Sequence, residues 1–250
     1  MEIRNRVTSL GMTTTTEPFE FEIHHAHRDV SGGWLRPTVF GMMDGLCSNL
    51  ALVAGVAGAQ GSTKAVALAG LAGLVGGAFS MGTGEYTSVR SQNESMLAEI
   101  EAERHELRHN PLAEQRELAE MYVKRGVDPE LAQAVSYQLL RDPDQALEVH
   151  VREELGVDLH DLPNPWTAAI SSFLSFVAGA AIPLLPYLLG VDALGVAAAL
   201  TLVALFVAGA VVARYTTRTW WYSGARQLLF GLASAAVTYG IGHLVGAAVG

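Results

Sequence analysis

Apolar residues in this chain come in long unbroken blocks. Residues 45–63, 65–84, 165–191, 193–213 and 227–250 contain no Asp, Glu, Lys or Arg. Each block approaches or exceeds the roughly 18 apolar residues that a helix needs to cross about 30 Å of hydrocarbon. The run over 65–75, Ala-Val-Ala-Leu-Ala-Gly-Leu-Ala-Gly-Leu-Val, has no period of two. That excludes strands of a closed β-barrel, the other backbone that satisfies itself in lipid. The pattern predicts an all-α membrane protein with five transmembrane helices, the first borrowing Pro37 to Asp44 to run over about 37–60. The chain divides into an N-terminal tail (1–36), spans one and two (37–89), a polar helical insert (90–162) and spans three to five (163–250).

The insert carries its own punctuation. Helices are expected over Ser91 to His109, Pro111 to Arg125, Pro129 to about Arg141 and Pro143 to about Leu155, with Gly126 and Gly156 as stops. Composition agrees with a membrane protein: half the residues are apolar, mean hydropathy is +0.27 and 16% are charged, against roughly 25% in a soluble domain. The whole net charge of −9 lies in 90–162, which holds 17 of the 25 acidic residues and eight basic ones. Of the 16 Lys and Arg, 15 fall on one side of the membrane if the chain crosses five times. Arg28, Arg36, Arg90, Arg214, Arg218 and Arg226 stand near span ends. Positive charge in short loops favours the cytoplasm, so the tail and the insert are expected there and Gly250 on the far side. Met1 to Val30 has no apolar core of a secretory signal, which leaves targeting to the first span. The single cysteine, Cys47, lies inside that span and is expected to pack as a small side chain.

Candidate chemistry concentrates in two places. Within the insert, Glu99, Glu103 and Glu106 share one helix strip, and Glu114, Glu117 and Glu120 share the next. Like charges three or four residues apart destabilise a bare helix, and a divalent cation removes that cost. His150 and Glu154 are one turn apart, with His105 and His109 near in sequence. Carboxylate with imidazole suits Fe²⁺, Mn²⁺, Co²⁺ or Zn²⁺ better than Ca²⁺. The bland alternative is a solvated face laced with arginine pairs. Within the spans, Asp44 and Glu85 are carboxylates at membrane depth with no Lys or Arg partner in a span, which makes each a functional candidate. Met81 stands one turn before Glu85 and offers a thioether to the same path.

Five features in order then match a known pattern: His27-Arg28-Asp29 before span one, Asp44-Gly45 within it, Ser80-Met81-Gly82-Thr83-Gly84-Glu85-Tyr86 closing span two, a Glu-rich insert ending in Glu153-Glu154-Leu155-Gly156, and three further spans. From about residue 24 onward the chain resembles the vacuolar iron transporter family, whose members look like Fe²⁺ and Mn²⁺ carriers that exchange metal for protons. The resemblance implies a homodimer with its path at the dimer interface and a cytoplasmic metal-binding insert. It makes Asp44 and Met81 the intramembrane metal site with Glu85 as a neighbour, and Glu103, Glu106, Glu114, Glu117 and Glu154 the carboxylates of the insert. Plant members place methionine where this chain has His150 and Val151, which shifts the expected preference toward Mn²⁺ or Zn²⁺.

The expected function is a proton-coupled Fe²⁺/Mn²⁺ antiporter exporting metal from the cytosol, a carrier and not an enzyme. Its partners are membrane lipid, metal ions and protons, with no prosthetic group and no nucleic acid. Its membrane is the cell membrane in a prokaryote or an organelle membrane in a eukaryote. The alternatives are a membrane-anchored di-iron oxidase, drawn from the Glu106-x-x-His109 spacing, and a metal sensor using the acidic insert.

Overall fold

The computed structural model describes residues 33–159, 161–191 and 193–249; the tail before Gly33, including His27, Arg28 and Asp29, lies outside the described residues. Helix α1 covers Leu35–Gly58, so Leu35 and Arg36, expected in the tail, already belong to span one. Helix α2 covers Thr63–His109, a single helix of 47 residues capped by Ser62, whose Oγ accepts from Ala65 N at 3.3 Å. The separate helix expected from Ser91 is therefore the continuation of span two. The physical reason is plain in the sequence: no proline lies between Thr63 and His109 and no glycine follows Gly84 until Gly126. A change from apolar to charged side chains changes a helix's solvent, not its backbone.

Three short helices complete the insert: α3 (Pro111–Lys124), α4 (Pro129–Leu139) and α5 (Pro143–His150). Each opens on a proline in its first turn, where the missing N–H costs nothing. Asp128 caps α4 by accepting from Glu130 N and Leu131 N, and Asp142 caps α5 by accepting from Asp144 N and Gln145 N; each cap contributes about 1 kcal/mol. α5 runs into a π-helical turn over Val151–Leu155, which Gly156 ends at φ +66° in the left-handed region. Ile100 of α2 packs with Leu147 and Val151 in a small apolar core, flanked by Met96, Leu107, Leu155, Val157 and Leu159. The C-terminal half of α2 is thereby fastened to α5 and the π turn.

The remaining spans are α6 (Pro165–Leu188), α7 (Leu194–Val212, followed by a 3₁₀ turn over Ala213–Tyr215) and α8 (Trp220–Val249). With α1 and α2 they make five helices long and apolar enough to cross a membrane. Helix α1 is the centre of the bundle and packs on α2, α6, α7 and α8. Glycine permits its closest approach: a Cβ on Gly41 or Gly45 would run into the backbone of α6, and one on Gly179 of α6 would run into that of α1. Small residues at such seams let dispersion contacts replace the hydrophobic drive that lipid does not supply. Leu68, Leu71, Val75 and Phe79 of α2, and much of α8, remain exposed among the described residues. Asn93 Nδ2 donates to Pro163 O at 2.8 Å and Tyr86 lies 4.8 Å from Trp166, which ties the exit of α2 to the entry of α6. All four tryptophans, Trp34, Trp166, Trp220 and Trp221, stand at the entries of α1, α6 and α8, the amphipathic placement expected of an interfacial aromatic belt.

Candidate metal centre

In the insert, four side chains from four elements converge. Glu103 comes from α2, Glu114 from the first turns of α3, His150 from the end of α5 and Glu154 from the π turn. One donor atom from each lies within 4.8 Å of all the others. His150 is fully buried, set between Leu147 and Val151 of the small core. Its Nδ1 is 3.1 Å from Glu103 Oε1, 3.1 Å from Glu154 Oε1 and 3.8 Å from Glu114 Oε2. An imidazole nitrogen donates one proton, so three carboxylates compete for it. Only Glu154 receives it in good geometry; Glu103 Oε1 and His150 Nε2 are buried without a hydrogen bond among the described residues.

The electrostatics follow from this crowding. Burial, then the charges of Glu154 and Glu114, push the Glu103 carboxyl up to about 8. Burial also raises Glu114, against the pull of His150 in the opposite direction. At neutral pH Glu103 therefore holds a proton that a cation can displace. Arginines of the insert do not relieve the crowding. Arg104 pairs with Glu101 at 2.5 Å, Arg152 with Glu148 and Asp158 at 2.9 and 3.1 Å, and Arg125 with Glu153. Oxygen and nitrogen ligands stand about 2.0–2.2 Å from an ion of this class, so the four donors would draw together around one.

Glu106 and Glu117 share helix faces with Glu103 and Glu114 but stay exposed at the rim. Glu106 accepts from Asn110 Nδ2 at 2.6 Å. They act on the cluster through charge, Glu117 raising Glu103 and both raising Glu114.

The second place lies among the spans. A cavity of about 240 Å³ between α1, α2 and α6 is lined by Asp44, Ser48, Asn49, Gly73, Gly77, Ser80, Met81 and Phe176, with Leu52. Asp44 and Met81, from different helices, thus share one space. Glu85, one turn further along α2, is partly buried and is not part of that lining. Asn49, which the sequence reading passed over, is 2% exposed. Its Nδ2 donates to Ala180 O of α6 at 2.6 Å while Oδ1 has no hydrogen bond among the described residues, a deficit worth about 1–3 kcal/mol. The signal that could have found it is the presence of an amide inside a span.

Comparison with known proteins shows the family. The model of the VIT family matches residues 35–243, from the start of α1 into α8. The chain belongs to the VIT family. Among its relatives in that family are vacuolar iron transporter of Acanthamoeba castellanii, 36% identical with 87% of this chain and 82% of the relative covered. Vacuolar iron transporter 1 of rice is 32% identical over 89% of this chain and 90% of its own length. The Arabidopsis thaliana protein of the same name is 30% identical, with 77% and 79% covered. The sequence resemblance is confirmed at the level of the family. This VIT-family chain is an integral membrane protein, and its relatives are named as transporters, which does not favour the oxidase alternative. Its geometry disfavours that reading as well: the His109 ring stacks on His105 at 3.9 Å, and its Nδ1 lies 2.8 Å from His105 O on its own helix.

Proposed function

We propose that this protein transports divalent transition-metal ions, Fe²⁺ or Mn²⁺, out of the cytosol in exchange for protons. The carrying observation is that Asp44 and Met81 line one open recess between α1, α2 and α6. A carboxylate there supplies charge, and a thioether favours transition metals over Mg²⁺ or Ca²⁺. The relatives named as vacuolar iron transporters support iron as cargo. Glu103, Glu114, His150 and Glu154 capture the ion before it enters the membrane, with Glu106 and Glu117 adding attractive charge at the rim. Glu85 serves as a further acidic group on the way. The insert and N-terminus face the cytoplasm, in line with the arginines at the ends of the spans on that side. The protein works as a homodimer through apolar α2 surface left uncovered in one chain.

Reconstitution into liposomes tests this directly. Fe²⁺ or Mn²⁺ uptake should run with an opposing proton movement reported by an internal pH dye. Metal binding with no flux would instead favour a sensor.

A further inference from the structure

Asn49 is held in one orientation. The atom facing the Ala180 carbonyl of α6 at 2.6 Å must be the nitrogen, because a carbonyl only accepts. Oδ1 is then turned away from α6, buried and without a hydrogen bond among the described residues. It faces α2 at Gly73, where a Cβ would lie only 3.0 Å from it. Gly73 and Asn49 line the same cavity as Asp44 and Met81. Two independent features therefore agree: an acceptor fixed without a partner, and a neighbouring helix position with no side chain to cover it.

We propose that Asn49 Oδ1 is a further ligand for the cation in transit and tunes which metals pass. Its assignment rests on Asp44 and Met81 holding that ion. An amide oxygen is a hard donor that suits Mn²⁺ and Fe²⁺, and it moderates the soft character that Met81 alone would give the site. It also adds a ligand without adding charge. Each chain brings Asp44 as its one carboxylate to this lining, and a neutral amide beside it coordinates without adding to the negative charge, which keeps binding weak enough for release.

Mn²⁺ and Zn²⁺ flux into proteoliposomes, measured for the full chain and for Asn49→Leu, Asn49→Asp, Gly73→Ala and Asp44→Ala, tests the assignment. Both Asn49 variants lose the donation to Ala180, but only Asn49→Asp keeps an oxygen. Gly73→Ala keeps the Asn49 side chain and sets a methyl beside its oxygen, with the end of Leu52, which that methyl would meet at 2.5 Å, swinging aside, so it tests access even if Asn49→Leu does not fold. Asn49→Leu and Gly73→Ala should raise the Mn²⁺ KM and lower the Mn²⁺-to-Zn²⁺ ratio of kcat/KM, each about tenfold, as expected for a lost ligand contact. Asn49→Asp should hold the Mn²⁺ KM within about threefold of wild type. An equal rise in KM for Asn49→Leu and Asn49→Asp, with Gly73→Ala unaffected, would assign Asn49 to packing against α6 and overturn the proposal. Unchanged KM and ratio in Asn49→Leu and Gly73→Ala, with flux lost in Asp44→Ala, would overturn it while leaving the Asp44 site standing. Full flux in Asp44→Ala would instead remove the site on which it rests.

Discussion

The cavity between α1, α2 and α6 holds one carboxylate, Asp44, with Met81 and Asn49 around it, whereas the insert turns three carboxylates and an imidazole onto one point. The difference in charge density separates two tasks. Three acidic groups that repel one another hold a cation firmly, and a single carboxylate among neutral donors lets it go. On the proposed function the first captures and the second passes the ion through the hydrocarbon, where each further buried charge would be costly. The proton linkage divides in the same way, since Glu103 already carries a displaceable proton at neutral pH.

The sharpest way to break this division is Asp44→Ala. Metal flux should fall to background, about a hundredfold or more, while metal binding by the insert measured by calorimetry stays as in wild type. Retained flux would remove Asp44 from the path. Replacing Glu103 and Glu154 together by glutamine should weaken high-affinity metal binding by about 10- to 100-fold, at least the effect of losing outer-shell partners of a metal. Flux at saturating metal should change much less, and an equal collapse of both would merge the two tasks into one.

Titration sharpens the comparison further. Glu103 must lose its proton for metal to bind, so apparent affinity should rise by at most about tenfold per pH unit until pH reaches about 8, then level off. Calorimetry in buffers of differing ionisation heat should register the released proton, and Glu103→Gln should flatten the slope. Without metal, stability moves the opposite way. Folding raises Glu103 from 4.5 to about 8, so the stability it confers is full below about pH 4.5 and is lost as pH rises through 8. Thermal unfolding of the insert's helices should therefore occur at lower temperature across that window, and Mn²⁺ should restore much of the difference. The smallest expected effect belongs to the bundle alone: Gly45→Ala pushes a methyl against the backbone at Phe176 and Ala180. It should cost about 1–3 kcal/mol of bundle stability and leave metal binding by the insert unchanged.

The five spans were legible because a missing charge over some twenty residues has few physical explanations other than lipid. The short helices α3, α4 and α5 were equally legible from Pro111, Pro129 and Pro143 at their starts. The continuity of α2 was missed because the switch to charged residues near Arg90 imitates a boundary that the backbone does not have. The acidic strips lie on the helices that bring Glu103 and Glu114 together, but periodicity could not choose which member of each strip turns inward. That depends on how α3 crosses α2 and on the π turn that carries Glu154, neither of which has a sequence period. His150 and Glu154 were paired by their spacing of four. Asn49 offered only the presence of an amide inside a span, since its fixed orientation comes from a carbonyl 131 positions away in the chain.

Because α2 is a single rod of 47 residues, it extends about 70 Å at 1.5 Å per residue. Met81 and Glu103 sit on it about 33 Å apart along its axis, too far for any side chain to hand an ion directly from one to the other. Yet they are mechanically joined. A tilt of this rod by about 10° about Met81 carries the Glu103 end sideways by ~6 Å, more than the separation of the donors gathered there. The helix is a lever arm as well as a scaffold: because Ile100 fastens α5 and the π turn to it, an angular change too small to notice among the spans becomes, at its far end, a displacement of the ligand cluster by several ångströms.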